Sequence, residues 1–526
     1  MKMRNQWLAL PLTSGLAATL LTGCGSESGG SAKDSDSVVV GMSDDVLATD
    51  PASGYDPGSW LLFNNVFQSL LSFPNGATEP EPEAARKCGF TDQQTKVFTC
   101  TLRDGLKFSN GNELTSKDVK YSFDRVQQIN DKTGPALMFP MLDEVETPDA
   151  KTVVFKLKFP DATFPSKIAS GAGSIVDHRE YPKDKLRADG EAVGSGPYRL
   201  DSFDKDEAVF SVNSGYEGTA KTRNDGVTLR FFHGDRKGLK QAITDHDIDV
   251  AYRGLAAADI ADIEKGGSDS KMEVVEGTSA EVQHLVFNMK DPMAGKPGVR
   301  KAIAYLLDRE ALVDQVYQGT ATPLYSIVPA GIGGHNTAFF DTYGARPQRD
   351  KAAAALRGAG INGKAKLTLW STPSRYGPAT DQELRAIAKQ LNASGLFEAN
   401  VKSVEFEQYE KDIEAGKYGV YVKGWVPDYP DPDNFTQPFF GKGNVLSNHY
   451  ENNDITGKII PSTAAQRERT KSDKEYGKLQ DIVANELPIL PVWQAKQYAV
   501  VQESVYGVES CLDASTVFRF WELSKG

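Results

Sequence analysis

The sequence predicts an α/β protein of at least two lobes, on three observations. The chain has 526 residues, beyond the size at which one hydrophobic core keeps growing. From about residue 282 onward, short apolar runs alternate with segments of helical spacing, the texture of a sheet flanked by helices. The tail, residues 500–521, is again strand-like and is positioned to return to the first lobe. Hydrophobic residues make up 40% and charged residues 25%, as in ordinary soluble globular proteins. The net charge of −12 disfavours nucleic acid and anionic membrane surfaces as partners, and no basic run interleaved with aromatics offsets it.

The first residues read as a targeting segment. Lys2 and Arg4 precede an apolar run from Trp7 to Leu21, too short to span a bilayer comfortably, which ends in Leu21-Thr22-Gly23-Cys24. Small residues before a cysteine resemble a bacterial lipobox. Residues 1–23 would then be a signal peptide, with the Cys24 thiol lipidated at the mature N-terminus. The alternative is an ordinary secretory signal with an incidental cysteine. Polar residues 24–37 read as a flexible tether with a reach of roughly 20 Å. No other apolar run is long enough to cross a membrane.

The fold proper opens with an apolar strand at residues 37–42 and an aromatic-rich helical stripe at 55–71, more suited to core than to ligand contact. Residues 97–108 alternate as strand, turn and strand through Arg103-Asp104-Gly105. Thr115 with Asp118 forms a capping-box pattern that starts a helix over 115–128. Residues 153–159 read as a strand. The Gly-rich run Gly194-Ser195-Gly196 leads into a strand at 198–203 and is read as backbone permissiveness, since no helix follows to hold a phosphate. Later come a strand at 282–288, helices at 298–307, 310–318, 351–357 and 381–392, and strands at 366–370, 401–406 and 418–422. A helix over 472–486, with Ser472 and Glu475 in capping-box spacing, precedes a strand at 489–493.

Cysteines add a covalent constraint. Cys88 and Cys100 are equidistant from Gln94, the centre of a polar turn between two strand-like segments. Facing residues of an antiparallel pair lie close enough for a disulfide, a plausible bond in an exported chain. Cys511 is then left as a free, buried thiol.

One stretch concentrates the chemistry. Residues 424–435, Gly-Trp-Val-Pro-Asp-Tyr-Pro-Asp-Pro-Asp-Asn-Phe, hold three aromatics, three carboxylates and three prolines at the end of a strand. Proline restricts its own φ and the preceding residue, so this is a stiff loop, neither helix nor central strand. The indole of Trp425, the phenol of Tyr429 and an acid suit a small cationic or amphipathic ligand; the bland alternative is a solvated turn.

Other chemistries lack their signatures. The six histidines (178, 233, 246, 284, 335, 449) form no metal-ligand motif, and Asp245-His246-Asp247-Ile248-Asp249 lacks the glycine and spacing of a calcium loop. No G-x-S-x-G elbow is present. The run from Gly358 to Ala365 nearly spells a phosphate loop, but Ala365 replaces the hydroxyl and the helix precedes the loop, so it reads as a helix stop.

Several stretches together resemble the extracytoplasmic solute-binding proteins of peptide ABC transporters, the dipeptide- and oligopeptide-binding family (solute-binding protein family 5). They are residues 102–111 (Leu-Arg-Asp-Gly-Leu-Lys-Phe-Ser-Asn-Gly) with 114–119 (Leu-Thr-Ser-Lys-Asp-Val), then Val193-Gly194-Ser195-Gly196-Pro197-Tyr198. Phe287-Asn288, residues 299–305 (Val-Arg-Lys-Ala-Ile-Ala-Tyr) with Asp308-Arg309-Glu310, and the 424–435 loop complete the set. With the lipobox they cover nearly the whole chain in the family's order.

The resemblance implies a periplasmic-binding-protein-like flytrap with an additional subdomain inserted in the first lobe. Lobe I would take 38–280 plus 495–526, with the insert at about 72–190, and lobe II 281–494; the crossings would lie near 281–287 and 492–500. It implies a monomeric binder, not an enzyme, with no cofactor or metal. Anchored extracytoplasmically through Cys24, the protein would capture peptides and deliver them to an ABC permease whose separate subunits hydrolyse ATP. Asp428 maps onto the carboxylate that pairs with a peptide's α-ammonium, with Trp425 packing nearby and Tyr429 in the same loop. Pro427 departs from the small residue more usual at its place in the family. Oligosaccharides and nickel chelates are alternative ligands within the family. Outside it, a secreted hydrolase and a surface adhesion module are the rivals; the absent triad and metal motifs count against the first.

Overall fold

The structure, a computed structural model, describes residues 36–526 apart from 267–270, 374 and 378. The expected signal segment, Cys24 and most of the expected tether lie outside the described residues. An 11-stranded mixed sheet runs through the molecule, and its two longest strands, Met272–Phe287 and Ile489–Gln502, pair antiparallel at its centre. On one side of this pair lie Val420–Trp425, Ala365–Ser371 and Phe397–Ser403; on the other lie Val250–Tyr252, Val38–Met42, Gly226–Phe231, Glu207–Val212 and Tyr198–Phe203. Each side contains parallel pairs: Val38–Met42 with its two neighbours, and Ala365–Ser371 with its two. The apolar run of Val38–Met42 is what a parallel strand covered on both faces requires.

Three large cores, with two small satellite clusters, follow from this layout among the described residues. One uses only residues between 280 and 493. A second joins residues of 38–67, 176–252 and 499–523. A third is built from residues 70–175 around the separate sheet formed by Ala85–Phe90, Val97–Leu102, Thr152–Leu157 and Leu142–Glu146. It has one outside member, Tyr429, contributed by the loop of the far lobe. The fold is therefore a two-lobed α/β architecture whose lobes share the two central strands.

Local chemistry explains most elements. Thr115 caps the helix Ser116–Ile129, its backbone N–H donating to Asp118 at 2.8 Å. Pro297 opens the helix Pro297–Leu306 at a position where its missing N–H costs nothing. In the hairpin Ala85–Phe90/Val97–Leu102, Cys88 faces Cys100 in register and the sulfurs are bonded. Closing a loop of this length is worth about 3 kcal/mol in the chain-entropy description. Cys511 is a buried free thiol, its pKa pushed up to about 12 by burial.

Five readings differ from the sequence expectation. Residues 106–108 form no strand; Lys107 makes only an isolated bridge to Glu113. Phe406 opens the helix Phe406–Glu414 instead of ending a strand, and the strand stops at Ser403. Ser472 makes no capping bond and its buried hydroxyl is unpartnered, because a 3-10 turn over Arg469–Ser472 leads straight into the helix Asp473–Glu486. Gly194 and Gly196 have no left-handed φ; a Cβ at either would lie within 3 Å of the Val66 backbone, so they are small to let the chain pass the end of the helix Pro57–Val66. Beyond Gln502 the tail is mostly irregular, with two 3-10 turns, Val508–Cys511 and Phe520–Glu522, and a two-residue pair of strands, Val505–Tyr506 with Ser524–Lys525. It does return to the first lobe, where Asn65 and Asn224 donate to the carbonyls of Phe518 and Phe520.

Candidate ligand-binding site

The loop leaves the strand Val420–Trp425 and folds back into a 3-10 turn, Pro432–Phe435. Asn434 organises it. Its Oδ1 accepts from the Asp428 backbone N–H at 3.0 Å and from Trp425 Nε1 at 2.9 Å, while its Nδ2 donates to Asp428 Oδ2 at 3.0 Å. The Trp425 ring also meets Phe439 edge-on at 5.3 Å. Indole and carboxylate are thus held by one amide.

The three acids of the loop have different surroundings. Asp431 accepts the Asp433 N–H, capping the 3-10 turn, and is clamped by Arg469, whose Nε and Nη2 donate at 2.7 and 2.8 Å. Asp433 is buried, accepts from the Tyr429 hydroxyl at 3.2 Å, and has its carboxyl raised to about 6 by burial. Asp428 makes no backbone cap. Its Oδ1 accepts from the Tyr55 hydroxyl at 2.5 Å, across the space between the lobes. Burial raises the Asp428 carboxyl, opposed by the Tyr55 and Asn434 hydrogen bonds and by Lys167. Each Asp428 oxygen has one partner from those two side chains, which leaves accepting capacity on both.

Tyr55 lies on the segment that follows the strand Val38–Met42. Its N–H donates to Thr133 at 2.7 Å, its ring meets Trp60 edge-on at 5.5 Å, and Asp56 then caps the helix Pro57–Val66. Asp50 anchors the segment: its carboxylate accepts from the two terminal guanidinium nitrogens of Arg125 at 2.7 and 2.6 Å and from the Arg187 backbone N–H at 2.7 Å.

Other contacts close the lobes beside this point. Ala162 donates from its backbone to Ala464 at 2.7 Å, the Thr95 hydroxyl to Ala465 at 3.0 Å, and Arg467 Nε to Thr95 at 3.3 Å. Tyr429, 3% exposed, is inserted into the third core with the Lys167 ammonium 5.9 Å from its ring. The structure therefore joins Asp428 and Trp425 at the lobe boundary and turns Tyr429 away into packing.

Tyr55, Asn434 and Lys167 are site residues that the sequence reading did not single out. Asn434 stood inside the marked stretch; Tyr55, 373 positions away from Asp428, carried no local signal. Arg375 is exposed, and its charge reaches the Tyr55 phenol.

Two other clusters are less suited to a ligand. Asp118, Asp177 and His178 offer ligand atoms within 4.8 Å of one another. Their oxygens are taken by protein donors: His178 Nδ1 meets Asp118 at 2.6 Å, while Arg179 and Asn112 meet Asp177 at 2.5 and 2.7 Å. An open hollow of about 690 Å³, lined by Asp381, Arg385, Lys389 and Asn400, lies at the sheet's outer edge, two strands from Val420–Trp425.

Residues 79–447 match the model of the bacterial extracellular solute-binding proteins, family 5 (middle region). The chain is 25% identical over 504 residues to the probable D,D-dipeptide-binding periplasmic protein of Escherichia coli K12, covering 93% of this chain and 94% of that one. It is 26% identical over 478 residues to heme-binding protein A of Haemophilus influenzae, covering 84% of each. Its fold resembles the solved structure of HbpA2 from Haemophilus parasuis with a TM-score of 0.80 at 22% identity, over 93% of this chain and all of that one.

Proposed function

Because the chain belongs to the bacterial extracellular solute-binding proteins of family 5, we propose that it captures short peptides with a free N-terminus between its lobes and hands them to the permease of an ABC importer. The observation that carries this reading is Asp428. Of three acids in one rigid loop, it alone reaches the opposite lobe, through Tyr55, and has no cation bonded to it within 4 Å among the described residues. A partly desolvated carboxylate with spare acceptor sites suits an α-ammonium, and the similarity to a relative named for dipeptide binding supports it.

In this reading lobe I takes residues 38–280 and 495–526, with the insert at about 72–190, and lobe II takes 281–494. The two central strands form the crossings, and ligand contacts from both sides shift the population toward closure. The protein binds and delivers; it does not transform its ligand. Mass spectrometry of what the purified native protein releases tests the function. Peptides of a few residues with unblocked amines are expected. Release of an oligosaccharide or a nickel chelate instead would overturn the peptide assignment.

Anchoring at Cys24 belongs to the same proposal, because the lipobox-like residues end there and a polar segment follows. Two acyl chains anchor stably where one is marginal. Cys24→Ala is expected to move the protein from the membrane to the soluble fraction, and full retention on the membrane would contradict the assignment.

A further inference from the structure

We propose that the face of the crossing strand bearing Glu281 and Gln283 is a subsite for a cationic side chain of the bound peptide, an ammonium or guanidinium on an apolar stem. This rests on the peptide reading above and adds the ligand class that the site prefers.

Placement comes from strand register. Val282 faces Trp425 and Gln283 faces Gly424, so Glu281 stands opposite position 426, two residues before Asp428. At about 3.3 Å per residue and a strand spacing of about 4.8 Å, the two backbones are on the order of 8 Å apart, the scale of adjacent groups on one short peptide. The register shift between Thr278 and Val282 frees Glu281 from pairing with the strand Ile489–Gln502, and its N–H donates to Ser279 Oγ at 3.0 Å. Glu281 is half-buried, and its carboxylate has no ion-pair or hydrogen-bond partner among the described residues. Arg253, the cation whose charge reaches it, is engaged by Asp44.

The floor beside it has more acceptors than donors. Gln283 is 1% exposed; its Nε2 donates to Glu383 at 2.5 Å, but its Oε1 meets no donor. Glu383 is fully buried; its Oε2 accepts from the Tyr317 hydroxyl at 2.5 Å and Trp493 Nε1 at 2.9 Å, and its Oε1 is likewise unpartnered. Gly424 lets the Tyr376 ring and Gln283 Oε1 approach the neighbouring strand closely, since a Cβ there would lie 2.9 Å from the ring and 3.3 Å from the oxygen. The Tyr317 and Trp493 rings, 4.8 Å apart, line the same place. Oxygens without donors beside aromatic rings suit a cation with a hydrocarbon stem. Burial raises both carboxyls, Glu383 to about 7, and at Glu281 the charge of Arg253 only partly opposes the rise.

Calorimetry on ligand-free full-length protein tests this with the peptides Lys-Ala-Ala and Ala-Lys-Ala and their norleucine counterparts. At least one lysyl peptide should bind about tenfold or more tightly than its uncharged counterpart. That ratio should fall to near one in Glu281→Gln, which keeps the side chain's shape. Equal binding of both pairs by the wild type, or a preference that survives in the variant, overturns the subsite while leaving the peptide reading intact. Failure to bind any of the peptides overturns both.

Discussion

Asp428→Asn is expected to weaken binding of a free-amine peptide by about 2–5 kcal/mol, roughly thirtyfold to a few thousandfold in affinity. The amide keeps the shape of the side chain and can still meet Tyr55 and Asn434, so the loss reports the missing charge. A role confined to the turn predicts almost no change, and the structure already assigns the turn's capping to Asp431 and Asn434. The pH dependence has a definite sign. Burial holds the Asp428 carboxyl of the ligand-free protein above its ordinary range, and an ammonium binds the ionised form. Affinity should therefore be full above that raised pKa and fall as pH drops through it. Competition titrations of wild type and variant across that range check both claims.

Asp50→Ala is expected to destabilise the first lobe by about 3–5 kcal/mol. Asp50 and Arg125 are 2% and 1% exposed, and their bidentate pair ties the segment before Tyr55 to the helix Ser116–Ile129. Removing the acid leaves a buried guanidinium with the Pro182 and Lys185 carbonyls and the Tyr181 ring, and no opposite charge bonded to it among the described residues. Replacing both partners with apolar residues should recover much of the loss, since a well-packed pair no longer desolvates a charge. Urea unfolding followed at lobe-specific probes measures this, because a multi-lobed chain need not unfold in one step. A change below about 1 kcal/mol would contradict the account. Because the segment positions the Tyr55 hydroxyl against Asp428, ligand affinity should fall in the same variant.

The elements with strong local signals were legible in the sequence. The capping box at Thr115, the facing cysteines and the strand–helix alternation after residue 282 all have counterparts in the structure. The stiff loop was legible too, because proline and Asp chemistry act within a few residues. What each acid does was not, since the decisive partners are remote: Arg469 reaches back 38 positions to Asp431, and Tyr55 reaches forward 373 to Asp428. Tyr429 illustrates the same limit. A phenol in a recognition-like loop has the same local sequence whether it faces a ligand or, as here, enters the core of the opposite lobe. The tail failed for a different reason. Its aromatic and β-branched residues suit strands, but they are used to pack turns against the second core. Gly194 and Gly196 likewise needed the third dimension, because close approach to Val66 leaves no mark in neighbouring residues.

If Asp428 holds the amine of a peptide enclosed between the lobes, charge on both partners is needed for tight binding. Calorimetry on four combinations, wild type and Asp428→Asn, each with a peptide and its N-acetylated form, measures this. Acetylation should cost the wild type about as much as the mutation does, on the order of 2–5 kcal/mol, and cost the variant little more. If the variant and the acetylated peptide each bind as tightly as the parent pair, Asp428 is not the anchor.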